Sequence, residues 1–129
     1  MDNWRGALVA RDSRAGKRDE ILIELMTKAG MPKNLSKALL FIARKEETTS
    51  VEIEKATGLR QPEVSIAMQE LRRRKWVEKR DIKKEGKGRP VHSYRLSVDF
   101  SDIVDTICGL ETERIRRMEE NLKRLRQFA

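Results

Sequence analysis

Apolar residues recur at helical spacing in five stretches of this chain, with one interval in which the period shortens to two. The first stripe begins after Lys17 with Ile21, Leu22, Leu25, Met26 and Ala29, and Gly30 followed by Pro32 ends it. A second, formed by Leu35, Ala38, Leu39, Ile42 and Ala43, predicts a helix from near Asn34 or Ser36 to about Lys45. Thr49 and Glu52 then have the spacing of a capping box, ahead of a short helix with Val51, Ile53 and Ala56 as its apolar face and Gly58 as its stop. Pro62 has a fixed φ and no amide hydrogen, which suits the first turn of a fourth helix reaching about Lys75. Val64, Ala67, Met68 and Leu71 share one side of it, so Gln61, Ser65, Gln69, Arg72 and Arg73 occupy the other.

Beyond Trp76, Val77, Lys79 and Asp81, then Val91, Ser93 and Arg95, alternate with other residues on either side of a basic, glycine-rich segment, positions 83–90. This predicts a β-hairpin. From Ser101 to Phe128 the helical period returns without a proline, in a helix roughly 40 Å long at 1.5 Å per residue. Trp4, Leu8 and Val9 show no sustained period, which leaves residues 1–16 as an arm. The expected fold is mainly α with a small β-hairpin wing. A compact unit over 17–99 would carry a long helix over 100–129.

Charge changes this picture from a fold to a function class. The net charge is +8. Residues 60–95 hold twelve Lys or Arg against five Asp or Glu, while the rest of the chain holds seventeen against sixteen. Positive charge concentrated on one segment suits a polyanion, since each cation near a phosphate releases condensed counterions. With one cysteine and one histidine a single chain has neither an internal disulfide nor a Cys/His metal site, so no metal and no cofactor is expected. The sequence has no secretion signal and no membrane-spanning run, which points to the cytoplasm and away from a membrane. Gly16-Lys17 and Gly86-Lys87-Gly88 lack the further residues of phosphate-binding loops, and His92 has no nucleophile or carboxylate pair to work with, so no enzyme is expected.

A short helix, a three-residue turn opened by glycine, and a helix with one apolar and one polar-basic face make a helix-turn-helix; the basic hairpin makes it winged. The stretch from Leu59-Arg60-Gln61-Pro62-Glu63-Val64-Ser65 to Leu71, continued by Arg74-Lys75-Trp76-Val77, resembles prokaryotic winged helix-turn-helix regulators of the ArsR, MarR and TrmB kind, nearest to small archaeal TrmB-like regulators. Gln61, Pro62, Val64, Ser65 and Leu71 match the pattern of these regulators. The chain departs from it at Arg60, where a capping serine is usual, at Glu63, and at Lys75, which replaces a glycine.

The resemblance implies a transcriptional regulator of double-stranded DNA whose fourth helix enters the major groove. Arg60, Gln61, Ser65 and Gln69 would face bases, and Arg72 and Arg73 phosphates. The side-chain chemistry agrees: Gln pairs with adenine, Ser reaches a base or a phosphate, and Arg serves guanine or the backbone. In the wing, Lys83, Lys84, Lys87 and Arg89 would follow the backbone, or Arg89 would enter a narrow minor groove. A small-molecule effector, of no stated identity, would fit by analogy between the long helix and the winged domain.

In the long helix, Val104, Cys108, Ile115, Met118, Leu122 and Leu125 fall at alternating three- and four-residue steps, broken only at Glu111. Cys108 is expected as a small buried residue of this seam. Six basic and six acidic residues cancel along the helix. Such a helix is expected to pair with its copy in a homodimer or, failing that, to fold back on its own chain. The alternative to a regulator is a winged-helix adapter whose basic face binds protein in a transcription or chromosome assembly, with RNA binding as a variant.

Overall fold

The computed structural model describes residues 15–82 and 91–129. The arm as far as position 14 and the wing tip with Lys83, Lys84, Lys87 and Arg89 lie outside the described residues. The elements are α1 (Ala15–Lys28), α2 (Lys33–Ala43), β1 (Thr48–Thr49), α3 (Ser50–Thr57), α4 (Gln61–Arg73), β2 (Val77–Ile82), β3 (Val91–Leu96) and α5 (Phe100–Gln127). Ala15 and Gly16, assigned to the arm from sequence, belong to α1.

α2 is the central element. Leu35, Ser36, Ala38, Leu39, Leu40, Ile42 and Ala43 are all buried, and the helix packs against α1, α3, α4 and β3. Met26 of α1, Ile53 of α3, and Val64, Ala67, Met68 and Leu71 of α4 complete the helical part of one core, which Trp76, Val77 and Tyr94 join from the sheet. Each buried large aliphatic contributes about 1.5–3 kcal/mol relative to its exposed state.

Two stripes are narrower than expected. In α1, Leu22, Ile23, Met26 and Ala29 face the core, whereas Ile21 and Leu25 are 56% and 59% exposed, because α2 covers only one side of the helix. In α3 only Ile53 is buried; Val51 and Ala56 stay outside a helix too short to present more than one inward position.

The sheet has three antiparallel strands in the order β1-β3-β2. The hairpin register runs from Val77 opposite Leu96 to Ile82 opposite Val91. The third strand was not anticipated. It is two residues long, Thr48 opposite Tyr94 and Thr49 opposite Ser93, and its second residue also caps α3, so it has no period of its own. As the middle strand, β3 buries both Ser93 and Tyr94, whereas β2 at the edge buries only Val77.

Candidate nucleic-acid interface

α3 and α4 are set by three local devices. Thr49 and Glu52 form the expected capping box, with the Thr49 hydroxyl accepting from the Glu52 amide at 3.3 Å and the Glu52 carboxylate accepting from the Thr49 amide at 3.0 Å. Gly58 ends α3 at φ +74°, a left-handed conformation that glycine adopts without steric cost, and Leu59 and Arg60 complete the turn into α4. Arg60 has no acceptor to offer as an N-cap. Glu63 serves instead: one carboxylate oxygen takes the Arg60 amide at 2.9 Å and the other takes the Asn34 side chain on α2 at 3.3 Å. Glu63 thus secures the start of α4 to the centre of the fold.

The far end of α4 is closed by a Schellman motif, in which the Lys75 amide donates to the Arg72 carbonyl at 2.9 Å and the Trp76 amide to that of Leu71 at 3.1 Å. Lys75 is the left-handed residue at φ +64°, which explains why glycine is usual there. Leu71 and Trp76, both buried, supply the accompanying apolar contact. The Arg74 guanidinium lies 5.1 Å over the Trp76 ring and donates to Glu70 at 2.7 Å.

With Val64, Ala67, Met68 and Leu71 turned inward, Arg60, Gln61, Gln69, Arg72 and Arg73 are exposed and Ser65 is half-buried. The side chains of Arg60, Gln61, Ser65, Gln69 and Arg72 make no hydrogen bond or ion pair to another described residue. Arg73 differs: it forms a bidentate pair with Glu70 at 2.6 and 2.8 Å. Hydrogen bonds from Arg73 and Arg74 hold the Glu70 carboxyl down at about 2. Arg73 is therefore partly neutralised, while Arg72 is the open cation of the pair. One exposed residue of this face was missed from sequence: Ile66, 67% exposed, stands among the polar groups. A count of outward positions by 100° per residue reveals it.

The stem of the wing spends its charge internally. Arg80 of β2 grips Glu47, before β1, with contacts of 2.7 to 3.0 Å. Arg95 pairs with Glu78 across the hairpin, and the His92 ring lies 2.7 Å from Asp81. Solvent screens these exposed pairs, so each adds little to stability. Their larger effect is to fix the hairpin's direction and to leave Lys79 as the stem's unpaired cation among the described residues.

α5 is docked by residues that the seam did not include. Phe100, Ile103 and Ile107 are buried in the core, and Val104, placed on the seam from sequence, packs partly against it. Glu111, the seam's interruption, has its carboxylate beside Gly30, 3.5 Å from where a side-chain carbon there would sit, and binds Arg114. Cys108 is exposed in the single chain rather than buried, because it lies one position round the helix from Ile107. From Thr112 onward every residue is exposed, Ile115, Met118, Leu122 and Leu125 included.

A cavity of about 370 Å³ lies among α1, α2 and α3, lined by Asp19, Ile23, Lys37, Phe41, Arg44 and Thr57. Asp19 and Arg44 pair there at 2.7 Å. Burial raises the Asp19 carboxyl above its ordinary value against the pull of Arg44. Among the described residues no cluster of His, Cys, Asp or Glu could hold a metal, and no helix is long and apolar enough to cross a membrane.

Residues 30–88, from the turn before α2 to a point beyond β2 and short of β3, match the MarR family. No curated protein matches the chain. Among solved structures it is similar to TrmBL2, an archaeal chromatin protein with a novel mode of DNA binding (TM-score 0.61, 14% identity, 84% of this chain and 39% of that one). The chain thus spans about two fifths of the length of TrmBL2. It is also similar to a possible transcriptional regulator from Methanosarcina mazei Go1 (TM-score 0.60, 15% identity, 81% and 86% of the two chains). A third likeness is to the multiple antibiotic resistance repressor MarR (TM-score 0.51, 19% identity, 80% and 72%). Over residues 30–88 the chain is thus similar to the MarR family, and its fold is the winged helix-turn-helix found in the TrmBL2 and MarR structures.

Proposed function

We propose that this chain is a sequence-specific, double-stranded DNA-binding transcriptional regulator that works as a homodimer. α4 lies in the major groove with Arg60, Gln61, Ser65 and Gln69 toward base edges and Arg72 and Arg73 toward phosphates. The wing tip, positions 83–90, follows the backbone or enters the minor groove. The observation that supports this most is the division of labour on α4: four residues carry the core, Glu63 and Glu70 serve the helix ends, and the side chains of Arg60, Gln61, Ser65, Gln69 and Arg72 are left without a described partner, Arg73 alone being paired with Glu70. Unspent donors on a rigid helix are what base readout requires.

α5 provides the dimer contact. Its last sixteen residues, about 24 Å of helix, are all exposed among the described residues, and an isolated helix of that length is marginal in water. Ile115, Met118, Leu122 and Leu125 give it a stripe to bury against a second copy. Two heads related by a two-fold axis then meet half-sites about 34 Å apart.

Selection from a random duplex library, with affinities for winners and scrambled DNA at two salt concentrations, tests the reading. A palindromic winner, bound far more tightly than scrambled duplex and with a steep salt slope, is expected. Salt-sensitive binding without enrichment replaces the regulator by an architectural DNA binder. No binding to either duplex replaces it by a protein-binding adapter.

A further inference from the structure

The outward surface of α4 has an aliphatic centre. By the helical angle of about 100° per residue, Pro62, Ile66, Gln69 and Arg73 lie within about 40° of the direction opposite Val64, Ala67, Met68 and Leu71. Ile66 is 67% exposed there, more so than any other large aliphatic of the winged domain's described residues. The helix does not need it for stability: its core stripe is complete, and a β-branched side chain is a poorer helix former than the Leu, Lys or Glu that could stand there. No described element packs over it. Its neighbours one turn away are Pro62 and Gln69 and, on the other flank, Glu63 and Glu70, which are engaged with Arg60, Asn34, Arg73 and Arg74.

Resting on the DNA-reading function proposed above, we infer that Ile66 reads thymine, by packing its branched side chain on the C5-methyl group in the major groove. Among the edges that bases present in that groove, the thymine methyl is the apolar one, so it is the feature an exposed aliphatic side chain can recognise. Ile66 and Gln69 are three residues apart and face the same way. A glutamine that holds adenine through N6 and N7, beside an isoleucine on a thymine methyl, reads an A·T-containing step through two different chemistries. Arg72, open and on the adjoining flank, would hold the phosphate that sets the depth of both.

The test uses the full chain and the duplex recovered by selection. Each thymine is replaced in turn by uracil, which removes the methyl group and leaves every hydrogen-bonding edge unchanged. One position in each half-site is expected to weaken wild-type binding about three- to fourfold, the worth of burying one methyl group. In Ile66→Ala that same uracil makes no further difference, whereas in Gln69→Ala the loss persists. Because Ile66 is exposed, Ile66→Ala keeps the wild-type unfolding midpoint, which excludes misfolding as the cause. A selected duplex whose affinity ignores every uracil, or loses equally with wild type and Ile66→Ala, overturns the role of Ile66 and leaves the regulator intact. Failure to select any site overturns the DNA-reading function, and this inference with it.

Discussion

The Ser97 hydroxyl donates to the Lys75 carbonyl at 2.6 Å, from just beyond β3 to the left-handed residue that closes α4. The Ser97 amide donates to the neighbouring Trp76 carbonyl at 2.8 Å. The last turn of the outward-facing helix and the base of the hairpin are therefore one rigid corner, so the direction of the wing is set relative to α4 by backbone hydrogen bonding.

Lys75 holds that corner at a steric cost. A side chain at φ +64° is disfavoured by about 1–2 kcal/mol. Lys75→Gly is expected to stabilise the protein by about 0.5–1 kcal/mol, part of the relief being offset by glycine's greater freedom when unfolded. Urea unfolding measures it; a lower midpoint would mean that the lysine side chain contributes more than its backbone strain removes.

Glu63→Ala removes acceptors for both the Arg60 amide and the Asn34 side chain. A loss of about 1–2 kcal/mol is expected, in the range of a lost helix cap. Asn34→Ala is expected to cost less than Glu63→Ala, since the Arg60 amide keeps its partner. Equal losses in the two variants would place the whole effect in the α2 contact.

The two halves of α5 separate by mutation. Ile103 is fully buried, and Ile103→Ala should cost about 2–4 kcal/mol in unfolding. Ile115 and Leu122 are half exposed, and Ile115→Ala with Leu122→Ala should instead raise the concentration at which sedimentation detects dimer, at least tenfold. Unchanged association would remove this stripe from the interface.

Acid should weaken the protein partly through Glu70. Its carboxyl is held at about 2 in the folded chain, against an ordinary value of 4.5. A depressed carboxylate stabilises the fold above its unfolded value, and that contribution fades as the pH falls from about 5 toward 2. The stability difference between wild type and Glu70→Gln should therefore be greatest near pH 6 and shrink at about pH 2, followed by thermal melts. A difference independent of pH would show that Glu70 acts through packing alone.

What was legible in the sequence follows physical lines. Val64, Ala67, Met68 and Leu71 are buried as their spacing indicates, and Thr49, Glu52, Gly58 and Pro62 act at helix ends because their effects are local. The inward side of α1 was less legible, since Ile21, Leu22, Leu25 and Met26 are equally apolar and only the position of α2 chooses among them. Ile103 and Ile107 were hidden for a related reason. They lie beside a seam with a heptad period, and the pattern does not say which stripe meets the chain's own core. Ion pairs such as Arg80 with Glu47 join residues far apart in sequence and have no periodic signature. The count of cations over 60–95 therefore includes Arg80 and Arg95, whose charge is spent within the stem.

The way α5 is held makes it a lever. Its fulcrum is the short run Phe100, Ile103 and Ile107, with Glu111 resting beside Gly30, and about 24 Å of rod extends past Glu111. A tilt of only ~5° at the fulcrum moves the far end of such a rod by ~2 Å. Small repacking in the core around Phe100 is thereby converted into a displacement large enough to alter how two such rods register.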